Sequence, residues 1–182
     1  MVVSEQGLKI WAEESFASCP PLRVLVVAGG PGQSDVMANR ELLAFIEGQA
    51  AVCDYVAGVC TGALILGAAG LLAGRHATTH WLAMKELERY GATAVERRVV
   101  WDGNVITGAG VSAGIDLGLE LATALGGEEN AKKIELGIEY DPCPPFHCGH
   151  PRSAPPHLIL ELKRSSRFYQ DGPMTGGDGD GE

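Results

Sequence analysis

A cysteine becomes a reagent when its thiol is held as a thiolate at an accessible bend. The run Tyr55-Val56-Ala57-Gly58-Val59-Cys60-Thr61-Gly62-Ala63 has the residue types for that. An apolar stretch ends at Val59, small residues permit a sharp turn, and Leu64-Ile65-Leu66 opens a helix at once. The pattern predicts a nucleophile elbow with Cys60 at its apex, beside the unpaired N–H groups and partial positive charge of a helix N-terminus. The competing reading is a small buried apolar residue, as most unpaired cysteines are. Gly58 and Gly62 suit close backbone approach at a bend better than a strand interior, and they weigh toward a reactive centre.

Other residues could join it or stand apart. Asp116 follows the Val111-Ser112-Ala113-Gly114 turn and either faces a pocket or complements the dipole of the helix it begins. Trp11 and Glu13 are candidates of the same kind, pocket residues or bystanders. Cys143, His147, Cys148 and His150 are metal-capable and lie in one proline-rich stretch. Their spacing matches no common zinc arrangement, so packed or exposed side chains are expected there and no metal.

The elements that would position the elbow alternate between two periods. Leu22–Ala28 is a β-branched run with almost no polar alternation, which predicts a strand buried inside a parallel sheet. Gly29-Gly30-Pro31-Gly32 ends it. Helical spacing covers Asn39–Ala51, Thr61–Leu72 (closed by Gly74), Thr79–Tyr90 (closed by Gly91), Ser112–Leu125, Glu128–Tyr140 and His157–Phe168. Extended segments are expected over Tyr55–Val59, Ala94–Trp101 and Val105–Thr107, the last two joined by the hairpin signal Asp102-Gly103-Asn104. This β-α-β-α order predicts a doubly wound, mainly parallel sheet with helices on both faces.

Composition bounds the rest. The chain has 182 residues, 46% of them hydrophobic, and a formal charge of −9. One α/β domain over residues 1–168 is expected, followed by a disordered acidic, glycine-rich tail at 169–182. The acidic balance argues against a nucleic-acid partner, and no apolar run is long enough for a membrane partner. Five cysteines without framework spacing suit reduced thiols, and the opening residues show no signal-peptide pattern, so a cytoplasmic protein is expected.

Longer strings carry a resemblance. Gly58-Val59-Cys60-Thr61-Gly62-Ala63-Leu64 and Gly70-Leu71-Leu72-Ala73-Gly74-Arg75-His76-Ala77-Thr78-Thr79-His80-Trp81 resemble the ThiJ/PfpI superfamily. Val99-Val100-Trp101-Asp102-Gly103-Asn104-Val105-Ile106-Thr107-Gly108, Ser112-Ala113-Gly114-Ile115-Asp116 and Glu139-Tyr140-Asp141-Pro142-Cys143-Pro144-Pro145-Phe146 narrow it to the isonitrile hydratase branch. The resemblance spans about Val3 to Pro155 and implies a flavodoxin-like, class I glutamine amidotransferase-like fold.

What it implies for the chemistry is specific. Cys60 would attack the terminal carbon of an isonitrile, a small-molecule substrate, and water would later release an N-substituted formamide, with no cofactor. Backbone N–H groups of Gly30 and Thr61 would line an anion-binding pocket beside the sulfur, next to Gly29. The Thr61 hydroxyl would either hydrogen-bond the thiol or cap the helix. His80 falls where relatives hold a histidine near the pocket, either as a base or as an orienter of the loop beside Trp81. Superfamily members are usually dimers, so a homodimer is implied.

The front of the chain departs from the family, which begins with a further apolar strand and an acidic Leu-Asp-Leu-Thr-Gly-Pro-type motif whose carboxylate bonds the cysteine. Neither has a counterpart in this sequence. Two expectations follow: an unpaired edge beside Leu22–Val27, and a hydratase slowed by the loss of a proton relay worth about a hundredfold or more. A different superfamily activity, on amide, glyoxal or glycated substrates, and a non-enzymatic sensor domain are the other readings of the same elbow.

Overall fold

The chain enters through a small antiparallel ribbon, β1 (Val2–Val3) against β2 (Lys9–Ile10), with Gly7 at φ +84° in the turn. There follow β3 (Val24–Ala28), α1 (Gln33–Ala38), α2 (Arg40–Ala50), β4 (Tyr55–Val59) and α3 (Gly62–Ala68). Next come β5 (His76–Ala77), a 3-10 helix over Trp81–Tyr90, β6 (Thr93–Ala94), β7 (Val99–Asp102) and β8 (Val105–Gly108), then α4 (Ala113–Gly126) and α5 (Glu128–Gly137). All of these belong to a compact unit, Met1–Asp141. A second unit, Pro142–Glu182, holds α6 (Pro156–Ser165) and a 3-10 turn at Arg167–Tyr169, where Lys163 Nζ lies 5.1 Å from the centre of the Tyr169 ring. The computed structural model describes residues 1–4 and 7–169, so the expected disordered tail lies, from residue 170 onward, outside the described residues.

The main sheet runs β3-β4-β8-β7, with β3, β4 and β8 parallel and β7 antiparallel to β8. Successive strand residues point to opposite faces, and β4 shows what covers each. A Cβ on Gly58 would meet Leu66 and Ala63 of α3. Its neighbour Ala57 clusters with Ile106, Leu117 and Leu121, the last two on α4. Helices therefore cover both faces, as the doubly wound, flavodoxin-like reading requires. No helix of the described residues is long and apolar enough to cross a membrane.

Several boundaries differ from expectation, each for a local reason. Of the two expectations for the Leu22–Ala28 run, a strand buried inside the sheet and an unpaired edge beside it, the second is the one observed: β3 pairs with β4 alone among the described residues, and Val26 is 56% exposed. The α3 helix stops at Ala68, not Leu72, because Gly70 turns left-handed at φ +74°. The stretch Ala94–Trp101 splits into β6 and β7 around the charged Glu96-Arg97-Arg98, and β6 pairs with β5 instead. One helix, α1, went unpredicted because Gln33-Ser34-Asp35-Val36-Met37-Ala38 has too little apolar periodicity. The expected hairpin is present, with Gly103 at φ +63° and Asp102 opposite Val105.

Candidate active site

Cys60 sits between the last residue of β4 and the first turn of α3 with φ +58°, in the left-handed region that a residue with a Cβ enters at a cost of about 1–3 kcal/mol. The surroundings over-determine it. Its N–H donates to the Gly108 carbonyl at 2.9 Å, which ties the bend to the end of β8. Its carbonyl accepts from Thr79 Oγ1 at 2.7 Å and from the Ala63 N–H at 3.3 Å. Behind it, a Cβ on Gly62 would stand 2.1 Å from the Val27 carbonyl oxygen, so only glycine lets α3 start this close to β3. The side chain is half-buried and not in a disulfide. Residues Gly62–Gly67 are buried, so the first amides of α3 act in a low-dielectric setting, over a helix of only seven residues.

Gly29 explains the next layer. A Cβ there would lie 2.5 Å from Thr61 Oγ1, 2.6 Å from Thr61 N and 2.8 Å from Gly62 N. The loop leaving β3 therefore lies directly against the start of α3. At that distance the Gly30 N–H donates to Thr61 Oγ1 at 3.1 Å. This corrects one expectation: Thr61, a buried residue, does not cap α3 with its side chain, and its hydroxyl accepts the Gly30 N–H. The absent Cβ at Gly29 lets the two groups meet.

His80 lies beside this bend through its neighbours. Thr79 bonds the Cys60 carbonyl, Thr78 N–H donates to Thr107 Oγ1 at 2.9 Å, and His80 Cδ2 would lie 3.5 Å from a Cβ on Gly110. The ring itself caps the 3-10 helix, with Nδ1 accepting the Leu82 N–H at 3.3 Å. That bond assigns the neutral ring its hydrogen at Nε2, and burial pushes its pKa below the ordinary histidine value. Loop orientation is thus a role the histidine demonstrably has. The sequence reading missed Thr78, Thr79 and Thr107, three nearly inaccessible polar residues. Their signal was present: polar side chains in otherwise apolar segments need partners, and here they supply the cross-links.

Asp116 is drawn elsewhere. It accepts from Arg98 Nε at 2.9 Å, makes a close contact with Arg98 Nη2, and receives the Tyr140 hydroxyl at 3.3 Å. Bonding to that carboxylate is the main cause of a raised Arg98 pKa. The expected pocket residue is therefore an anchor for the first turn of α4. Trp11 and Glu13 are exposed in the segment after β2. Cys143, His147, Cys148 and His150 belong to the second unit, and among the described residues no three His, Cys, Asp or Glu side chains gather as metal ligands would. A cleft lined by Ala50, Val56, Leu71, Arg75, Asn104 and Val105 opens at the opposite end of β4 and β8 from Cys60. Arg75 there donates to the Asp102 carbonyl at 2.7 Å.

Comparison with known proteins places these features in a lineage. Residues 1–124 match the DJ-1/PfpI family model. The chain is 46% identical over 163 residues to isonitrile hydratase of Pseudomonas putida, covering 90% of this chain and 72% of that protein. A ThiJ/PfpI family protein from Pseudomonas syringae superposes with a TM-score of 0.86 at 44% identity, over 88% of this chain and 67% of that one. The HTH-type transcriptional regulator GbdR of Pseudomonas aeruginosa is 30% identical over 140 residues, 75% of this chain but 36% of the regulator. On this similarity and this fold, the chain belongs to the DJ-1/PfpI family.

Proposed function

We propose that this chain hydrates isonitriles to N-substituted formamides with Cys60 as the nucleophile of an elbow. The observation that carries the reading is the left-handed Cys60 at the β4–α3 bend, in a chain this similar to an isonitrile hydratase. The thiolate adds to the terminal isonitrile carbon, forming the S–C bond, and that carbon takes up a proton. Water then adds to the resulting thioimidate, one of its protons going to nitrogen; the C–S bond breaks with its electron pair returning to sulfur, and the remaining hydroxyl proton leaves as the carbonyl forms, replacing the one taken up by carbon. The sum is one isonitrile plus one water giving one formamide. The Thr61 main-chain N–H, at the start of α3, is suited to developing charge, and neutral His80 carries its hydrogen on Nε2, the form that donates. Asp116 is left out of the reaction by its bonds to Arg98 and Tyr140.

The reading includes a homodimer, which light scattering tests. Gas chromatography of formamide formed from cyclohexyl isocyanide tests the reaction, with glyoxal assayed beside it. Turnover of the isonitrile that falls by roughly 10³-fold or more in Cys60→Ala supports the proposal. Turnover of glyoxal alone would replace it with the other superfamily activity. The similarity to a transcriptional regulator favours a second reading, a ligand-sensing module; isonitrile binding by calorimetry without any formamide would select it.

A further inference from the structure

Two cysteines outside the candidate site are brought to the same short stretch of chain by one glutamine. Gln49, near the end of α2, uses both ends of its side chain on the segment entering β3: Oε1 accepts the Leu22 N–H at 2.9 Å and Nε2 donates to the Pro20 carbonyl at 3.2 Å. Cys19 Sγ is directed at that same Pro20 carbonyl, 3.5 Å away. The main chain of Gln49 holds the other cysteine, its carbonyl accepting the Cys53 N–H at 2.9 Å. Cys53 is buried, its thiol set against the Leu25 main chain, while Cys19 is half-exposed. The two thiols thus meet one short segment, Cys19 at Pro20 and Cys53 at Leu25, the first half-exposed and the second buried.

We propose that Cys19 and Cys53 are a dithiol that closes to an intramolecular disulfide in the presence of a disulfide oxidant such as oxidised glutathione. Burial is the main influence raising the Cys53 pKa, and Cys19 is near enough to contribute to that rise. Order of reaction follows from exposure. The Cys19 thiolate attacks one sulfur of oxidised glutathione, the S–S bond breaks, and one glutathione leaves as its thiolate. Cys53 then loses its proton to solvent and attacks the Cys19 sulfur, and the second glutathione departs. Two protein thiols are oxidised and one oxidised glutathione is reduced to two thiols, so electrons balance.

The consequence is local and mechanical. The bond would clasp the segment leading into β3 to the connection between α2 and β4, closing a loop that contains Gly29 and Gly30. A cross-link of this span constrains the unfolded chain and raises the temperature of unfolding.

The test uses the whole chain incubated with a series of reduced and oxidised glutathione mixtures, alkylated with iodoacetamide, digested with trypsin without reduction and read by mass spectrometry. The expected product joins the tryptic peptide 10–23, which holds Cys19, to 41–75, which holds both Cys53 and Cys60. Fragmentation must place the bond at Cys53. A higher unfolding temperature of the oxidised chain, absent in Cys19→Ser, supports the proposal. Glutathione remaining on Cys19 without a cross-link, a bond to Cys60, or Cys19 and Cys53 still reduced when exposed Cys143 is fully modified would overturn it. Should Cys53→Ala fail to fold, the half-exposed Cys19→Ser variant still decides the matter.

Discussion

The two sides of β4 end in contrasting ways. Toward α3, the strand runs into a bend where Gly29, Gly58 and Gly62 are so closely approached that an added Cβ would come within 3 Å of a neighbour at each. One strand over, β3 shows an open edge, with Val26 exposed and β4 as its sole partner among the described residues. The bend draws its rigidity from contact on every side and can therefore carry a main-chain conformation that costs energy. The outer flank of β3, at Val26, has no such contact, although its Val27 carbonyl closes on Gly62 at the bend. What places Cys60 is the packing between β3, β4 and α3, since α3 by itself is two turns long.

The strongest way to break that contrast is to add one carbon at each of two glycines. Gly62→Ala forces its methyl against the Val27 carbonyl, and a loss of about 3 kcal/mol, read by urea unfolding, is expected. Gly48→Ala in α2 meets nothing within 4 Å, and a gain of about 0.5–1 kcal/mol is expected from helix propensity. Equal effects of the two would remove close packing as the source of the bend.

A milder probe is Thr79→Val, which deletes the hydroxyl donor to the Cys60 carbonyl while keeping shape. Because that carbonyl retains the Ala63 N–H, a cost of about 1 kcal/mol is expected, with a changed rate of iodoacetamide labelling at Cys60. An unaltered labelling rate would separate the cross-link from the thiol.

Acid probes His80. Its folded pKa lies below the ordinary value of 6.5, so the unfolded chain binds the proton more readily. Stability is therefore full above about pH 6.5 and declines as pH falls toward the folded pKa. Protonation also removes the Nδ1 acceptor for Leu82. Thermal melts should show this decline in the native chain and a weaker one in His80→Asn, whose side chain caps without titrating.

The smallest effect belongs to the edge. Val26→Thr is expected to change stability by no more than about 0.5 kcal/mol, whereas truncating its buried neighbour in Leu25→Ala should cost about 2–5 kcal/mol. If the two were alike, β3 would have a covering that the sheet order does not show.

The sequence made the bend legible because Gly58, Cys60 and Gly62 are each unusual where they stand, and the family strings reinforced them. The hairpin was legible from Asp102-Gly103-Asn104 and α2 from its helical spacing, while the cap that starts it, Asn39 accepting the Leu42 N–H at 3.1 Å, went unread. What could not be read was pairing across long separations. Thr61 offered a choice between thiol and helix cap, yet its oxygen meets the Gly30 N–H, 31 residues away. Asp116 looked like a pocket acid until Arg98 and Tyr140 claimed it, because nothing local records which of several cations a carboxylate will reach. The edge position of β3 was legible only through the family resemblance, because a β-branched run signals a strand but not how many neighbours it has.

The main-chain angle at Cys60 has one more consequence. With φ and both flanking hydrogen bonds fixed, the sulfur has a single rotatable bond left, and its positions reduce to a few staggered points on a short arc. A thiol so tethered sweeps out little volume. Under the proposed function the reacting carbon would have to come to the sulfur, so selectivity among small molecules would be exercised in the approach, before any bond is made.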